Sequence, residues 1–225
     1  ASTLKDPDVP DAIGQVLGLP PSSAPALPLF AEVASLHQNN QWGEAEKPLA
    51  LLRRTGSLPT NLKRWRAYYE AVTDLQHGET ERARGRLESL IAATPEIAQP
   101  FLKAHAHYRR SVIASSGGRP DKAIHHRAEA ARLFAISGEP AWVAFAGQQI
   151  GEVHGKLGLT DVDWDARLDT LKHASRIFNP RSALLAMTIV GDDLVRSGLP
   201  RAAAAVYRAG HELAAAAGLS DSAAD

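Results

Sequence analysis

"QHGETERARGRLESL", residues 76–90, decides how this chain is read. A turn residue, Gly78, is followed five positions later by Ala83, and then by apolar residues at helical spacing, Leu87 and Leu90. The same plan recurs in "NNQWGEAEKPLALL" (39–52), "SGGRPDKAIHHRAEA" (116–130) and "RSGLPRAAAAVYRAG" (196–210). The aligned alanines are Ala45, Ala83, Ala123 and Ala203. The first two gaps are 38 and 40 residues and the third is 80, which leaves room for one more unit. "KLGLTDVDWDARLDTLKHA" (156–174) fills it, with Ala166 as its alanine after a longer turn. The reading is five helix–turn–helix units, at 30–57, 62–94, 100–136, 139–178 and 180–217.

The surrounding sequence agrees. Segments such as "LFAEVASLHQ" (29–38) and "LKRWRAYYEAVTDLQ" (62–76) repeat apolar residues every three or four positions, and no alternating Val/Ile/Thr run is bounded by hairpin turns. The expected fold class is all-α. Residues 1–28 carry Pro7, Pro10, Pro20, Pro21, Pro25 and Pro28. Each proline lacks an N–H and crowds the preceding turn, so this leader is expected to be irregular, with room for one short helix in 11–19. The repeat domain is then 29–217, and 218–225 is a small polar tail.

This pattern resembles the tetratricopeptide repeat family. That family has a small residue midway along the first helix, a turn glycine and an alanine early in the second helix. Unit two offers Ala71, Gly78, Ala83, Leu87 and Pro95; unit four offers Gly151, Gly158 and Ala166; unit five offers Gly191, Gly198, Ala203 and Tyr207. The period is nearer 40 than the family's 34, and the aromatic expected after the turn glycine is replaced by Thr80, Pro120 or Pro200. The resemblance implies a right-handed superhelix, an α-solenoid of about five hairpins. Ala71, Ala83, Ala123, Gly151, Gly158, Ala166, Gly191 and Ala203 would then be helix-packing positions.

The glycines of "GQQIGEVHGKLG" (147–158) are weighed in that light. Gly147, Gly151 and Gly155 are four apart and form one helical stripe, which lets another backbone approach closely. A P-loop would need G-x-x-x-x-G-K-[ST], but Lys156 precedes Leu157 and only three residues separate Gly151 from Gly155. A membrane-dimer glycine motif needs an apolar stretch, which Glu152, His154 and Lys156 interrupt.

Composition narrows the function classes. Lys plus Arg equals Asp plus Glu at 25 each, which weighs against bulk binding of nucleic acid or anionic membrane. No apolar run is long enough for a membrane span. There is no cysteine, hence no disulfide, thiolate metal site or cysteine nucleophile. No signal peptide is visible and the chain starts at Ala1 without Met, which fits either a trimmed mature chain or a cut-out piece, cytoplasmic or exported.

Candidate chemistries fail on spacing. Asp161, Asp163, Asp165 and Asp169 match EF-hand positions 1, 3, 5 and 9, but Ala166 stands for the turn glycine and Lys172 for the bidentate glutamate. His105 and His107 lie about 200° apart on a helix, so they cannot share a metal. "HELAA" (211–215) lacks the second histidine of H-E-x-x-H. No nucleophile elbow is present, and the carboxylates read as a solvated helix face. No metal, cofactor or catalytic role is expected.

"KRWRAYYE" (63–70) and "HAHYRR" (105–110) lie on first helices, which line the concave surface of tetratricopeptide arrays. The register assigns Trp65, Tyr68 and Val72, then His105, Tyr108, Arg109 and Val112, to a groove. Gln148, Gln149, Glu152 and Lys156 follow, then Thr188, Asp192 and Arg196. Aromatic and arginine side chains are common interface anchors. The family's clamp for a C-terminal carboxylate uses Lys and Asn, and Tyr68, Val72, Tyr108 and Val112 stand in those places, so that clamp is absent. The expected function is non-catalytic: a scaffold or regulatory module holding a peptide, a protein or a neighbouring domain in the groove. The alternative is a sensor or regulator domain that takes a small ligand or nucleic acid, the latter through Arg53, Arg54, Lys63, Arg64 and Arg66. The last unit has no polar capping helix, so the chain is expected either to be part of a longer protein or to pack that unit on a partner.

Overall fold

The computed structural model describes residues 26–39, 41–55, 58–156, 164–165, 168–169, 172 and 180–219. The long elements among them are all helices: α1 (Leu27–Gln38), α2 (Trp42–Arg54), α3 (Thr60–Gln76), α4 (Thr80–Ala93), α5 (Pro100–Ser116), α6 (Pro120–Ile136), α7 (Pro140–Lys156), α8 (Pro180–Arg196) and α9 (Pro200–Ala216). No strand occurs among the described residues. The all-α expectation holds.

The helices from α3 onward start at 60, 80, 100, 120, 140, 180 and 200, a spacing of 20 or 40 residues. Sequence chemistry sets both ends. Pro100, Pro120, Pro140, Pro180 and Pro200 open their helices, where a fixed φ is suitable and no N–H is required. Gly78, Gly118, Gly138, Gly198 and Gly218 follow helix ends with φ between 66° and 78°. That left-handed conformation is easy only for glycine. At each, the glycine N–H and the next N–H turn back to carbonyls of the last helical turn, as in Gly198 to Val195 at 3.0 Å and Leu199 to Leu194 at 2.8 Å. This double closure stops the helix, and after Gly118, Gly138 and Gly198 the proline two residues on starts the next.

The chain divides into two compact units, Ala1–Ile113 and Ala114–Asp225. In the first, α1 packs on α2 and α3 on α4, with α3 also meeting α1 and α2. Phe30, Val33, Leu49, Leu52 and Leu58 fill one core; Tyr68, Val72, Ala83, Leu87, Leu102 and Ile113 fill another. In the second unit α6 packs on α7 and α8 on α9. Phe134 stacks on Trp142 at 5.3 Å between the first pair. In the second pair a β-carbon on Gly191 would collide with the Tyr207 ring, so the bare backbone makes room for that ring.

The alanines aligned from the sequence, Ala45, Ala83, Ala123 and Ala203, are all buried, as are Ala71, Gly151 and Gly191. Gly158 and Ala166 lie outside the described residues. Gly147 corrects the glycine-stripe reading: a β-carbon there meets no described atom within 4 Å, so it serves no close approach.

Candidate functional site

Helix α3 carries two opposed faces. On one, Glu70 and Asp74 stand one turn apart and are buried. Arg53 of α2 reaches Glu70 at 2.9 Å, and Arg86 of α4 reaches it at 2.7 Å. Asp74 receives Arg82 at 2.6 Å and Arg86 at 2.8 Å. This corrects the reading of the carboxylates as a solvated face, because these two neutralise arginines from neighbouring helices. A trough of about 640 Å³ between α3 and α4 is lined by Lys63, Arg64, Arg82 and Arg86. Arg82 and Arg86 are held by those carboxylates, and Arg64 donates to Gln99 at 2.9 Å, so most of the trough's basic charge is already engaged.

The other face is aromatic. Trp65, Tyr68 and Tyr69 project from α3, and Phe101 and His105 from α5. Trp65 meets Tyr68 at 5.7 Å, Tyr69 at 5.8 Å and Phe101 at 6.2 Å between ring centres. His105 lies 5.8 Å from Tyr68 and 4.5 Å from Phe101, edge to face with the latter. His37 of α1 continues the cluster, 4.7 Å from Tyr69 and 5.0 Å from Trp42 of α2. Phe101, His105 and Arg109 recur every fourth residue, so they share one stripe of α5.

Arg109 brings a charge into this set. Its Nε donates to the Tyr68 hydroxyl at 3.4 Å, and its guanidinium sits 5.9 Å from the Tyr108 ring centre. No carboxylate among the described residues pairs with it. Burial holds the His37 imidazole down to about 4, with the Arg109 charge adding to the effect. The same two causes, burial first, bring His105 down to about 3. Burial also pushes the Tyr69 phenol up, reinforced by Tyr68. At neutral pH, therefore, Arg109 is the only formal charge among these residues. His37 is 7% exposed and its Nε2 has no hydrogen-bond partner.

The structure thus brings together Trp65, Tyr68, His105, Tyr108 and Arg109 from the sequence-derived groove. Val72 does not join them: at 1% exposure it belongs to the core formed with Ala83 and Leu87, and presents no surface to a ligand. Gln148 and Gln149 are likewise buried in the second unit, and both side-chain polar atoms of Gln148 lack partners. Asp192 accepts from the Tyr207 hydroxyl at 2.5 Å, and Arg196 pairs with Asp193. The side chains of Glu152 and Lys156 lie outside the described residues. His37, Trp42, Tyr69 and Phe101 were missed by the sequence reading, although the four-residue ladders Trp65–Tyr69 and Phe101–His105–Arg109 mark two of them. Among the described residues, no cluster of three or more His, Asp or Glu is placed to hold a metal, and no helix is long and apolar enough to cross a membrane.

No family model and no curated protein matches the chain. Among solved structures it is similar to the crystal structure of BtubC (BKLC) from P. vanneervenii. The TM-score is 0.63 with 13% sequence identity, over 95% of this chain and 89% of that one. At that identity the likeness is one of fold.

Proposed function

We propose that this chain is a non-catalytic binding module of the tetratricopeptide kind. It is an array of five helical hairpins in a right-handed superhelix that holds a peptide or protein segment on the first helices of its hairpins. The recurring helix starts and the buried small residues at the aligned positions support the array. The observation that carries the binding role is the face shared by α1, α3 and α5. There, side chains of the types that anchor interfaces are collected from three helices far apart in sequence.

The test is affinity capture from lysate of the source cells, with the wild type beside a Tyr68→Phe/Tyr108→Ala/Arg109→Ala variant of matched circular dichroism. Tyr68 is changed only to Phe because its ring belongs to the core. A partner held by the wild type and lost by the variant is the expected result. Capture that the variant leaves unchanged would place the binding surface elsewhere and overturn the reading.

A further inference from the structure

We infer that the aromatic face of α1, α3 and α5 is a receptor for a carboxylate carried beside an apolar group, with the Arg109 guanidinium as its counter-charge. The inference rests on the binding role just proposed and names the chemistry of what is bound.

A cation removed from water needs compensation. A guanidinium keeps its proton in any protein environment, so Arg109 stays charged however it is surrounded. Moving such a charge away from water is costly unless an opposite charge or good acceptors replace the lost hydration. Elsewhere in this unit the buried Arg110 follows that rule: its guanidinium meets the Glu88 carboxylate at 2.6 Å. Arg109 instead has one long contact to a phenol and a ring beside it. Five guanidinium N–H groups are available, and one is used in that contact.

A second observation points the same way. His37 is nine-tenths buried in the same cluster, and its Nε2 is unpartnered. A buried polar atom without a partner is uncommon and calls for one. An acceptor oxygen from a ligand, or a water carried with it, would satisfy both His37 and Arg109.

Charge and shape then select the ligand. One positive charge balances one negative charge, which favours a carboxylate over a phosphate dianion. The planar fork of arginine matches the two oxygens of a carboxylate. Around it, the part-exposed Trp65, Tyr69 and Phe101 offer an apolar wall, so the segment that fits carries an acidic group next to an aromatic or aliphatic one. The occupant is a peptide segment with an Asp or Glu side chain next to that apolar residue.

The experiment is a positional-scanning library of seven-residue peptides, made once as C-terminal amides and once with free C-termini. Bound peptides are read from the wild type and from Arg109→Gln and Arg109→Lys. The expected result is enrichment of Asp and Glu over Asn and Gln by about tenfold in the amide library, lost in Arg109→Gln and partly kept in Arg109→Lys. Enrichment confined to free C-termini overturns it, because the ligand would then be a chain end rather than an acidic side chain. Peptide binding with no acidic preference, or one that Arg109→Gln leaves intact, overturns this inference and spares the binding role. No peptide retained by the wild type overturns both. Should Arg109→Gln fail to fold, the wild-type preference and the Arg109→Lys profile still decide the matter.

Discussion

Lowering the pH from 7 to 5 should cost this protein about 3.5 kcal/mol of folding stability through two histidines. The unfolded chain binds a proton at each imidazole near pH 6.5. In the folded chain His37 holds off protonation to about 4 and His105 to about 3. A lowered folded pKa means that the unfolded state takes up protons first. Stability present above 6.5 is therefore lost as the pH falls from there toward 4 and 3. Each group loses about 1.4 kcal/mol per pH unit in that window. The described groups facing His37 are Trp42 of α2, Tyr69 of α3 and Arg109 of α5; those facing His105 are Trp65 and Tyr68 of α3 with Phe101 and Arg109 of α5. Among these named groups Arg109 is the one charged between pH 5 and 7, and its charge acts in the same direction as burial. The assay is urea unfolding at half-unit steps from pH 7 to 5, for the wild type, His105→Gln and His37→Gln. Each variant should lose about half of the wild-type slope. A wild-type stability that changes by less than about 1 kcal/mol over that range would refute the reasoning. So would single variants that both keep the full slope.

Asp74→Asn leaves Arg82 and Arg86 without their shared carboxylate, and should destabilise by about 1.5–3 kcal/mol in urea melts, with weaker salt dependence than the wild type. Gly147→Ala should stabilise by about 0.5–1 kcal/mol, because the helix gains a better former and the new methyl meets open space; a loss in thermal melts would restore the close-approach reading of that glycine. Gly198→Ala, with open space of its own but φ at 75°, should instead destabilise by about 1–2 kcal/mol, so the pair separates backbone strain from packing by the sign of the change.

Local signals made the helical frame legible. Period-3.6 apolar spacing marks the helices, and the turn glycines Gly78 and Gly198 adopt the left-handed conformation that makes glycine the suitable residue there. The aligned alanines Ala45, Ala83, Ala123 and Ala203 are all buried, and a small residue at a fixed distance after a turn is a trace that sequence records. The site was half legible. Residue type and stripe picked out Trp65, Tyr68, His105 and Arg109. Val72 shares their stripe but lies a turn closer to α4, where Ala83 and Leu87 cover it, and periodicity does not record depth. His37 joins from a helix more than sixty residues away from His105, a contact that only the packing of α1 on α3 creates. Glu70 and Asp74 were invisible as buried groups because their burial depends on arginines that arrive from α2 and α4. An isolated acidic residue on a helix is ordinarily solvated.

The two faces of α3 explain each other. Glu70 and Asp74 lie roughly 140–180° around the helix from Trp65, so the ion pairs and the aromatic wall do not compete for the same side. The ion pairs fasten α3 to α2 and α4 from behind. That fastening fixes the rotation of α3 about its axis, and with it the direction in which Trp65, Tyr68 and Tyr69 point. Aromatic side chains have few rotatable bonds, so a wall of them on a fixed helix loses little freedom when a segment lands on it. Arg109 then has a defined place against Tyr68 rather than a range of solvent-exposed positions. In this arrangement Glu70 and Asp74 with their arginines hold the scaffold, and Arg109, which meets no carboxylate among the described residues, faces the rings.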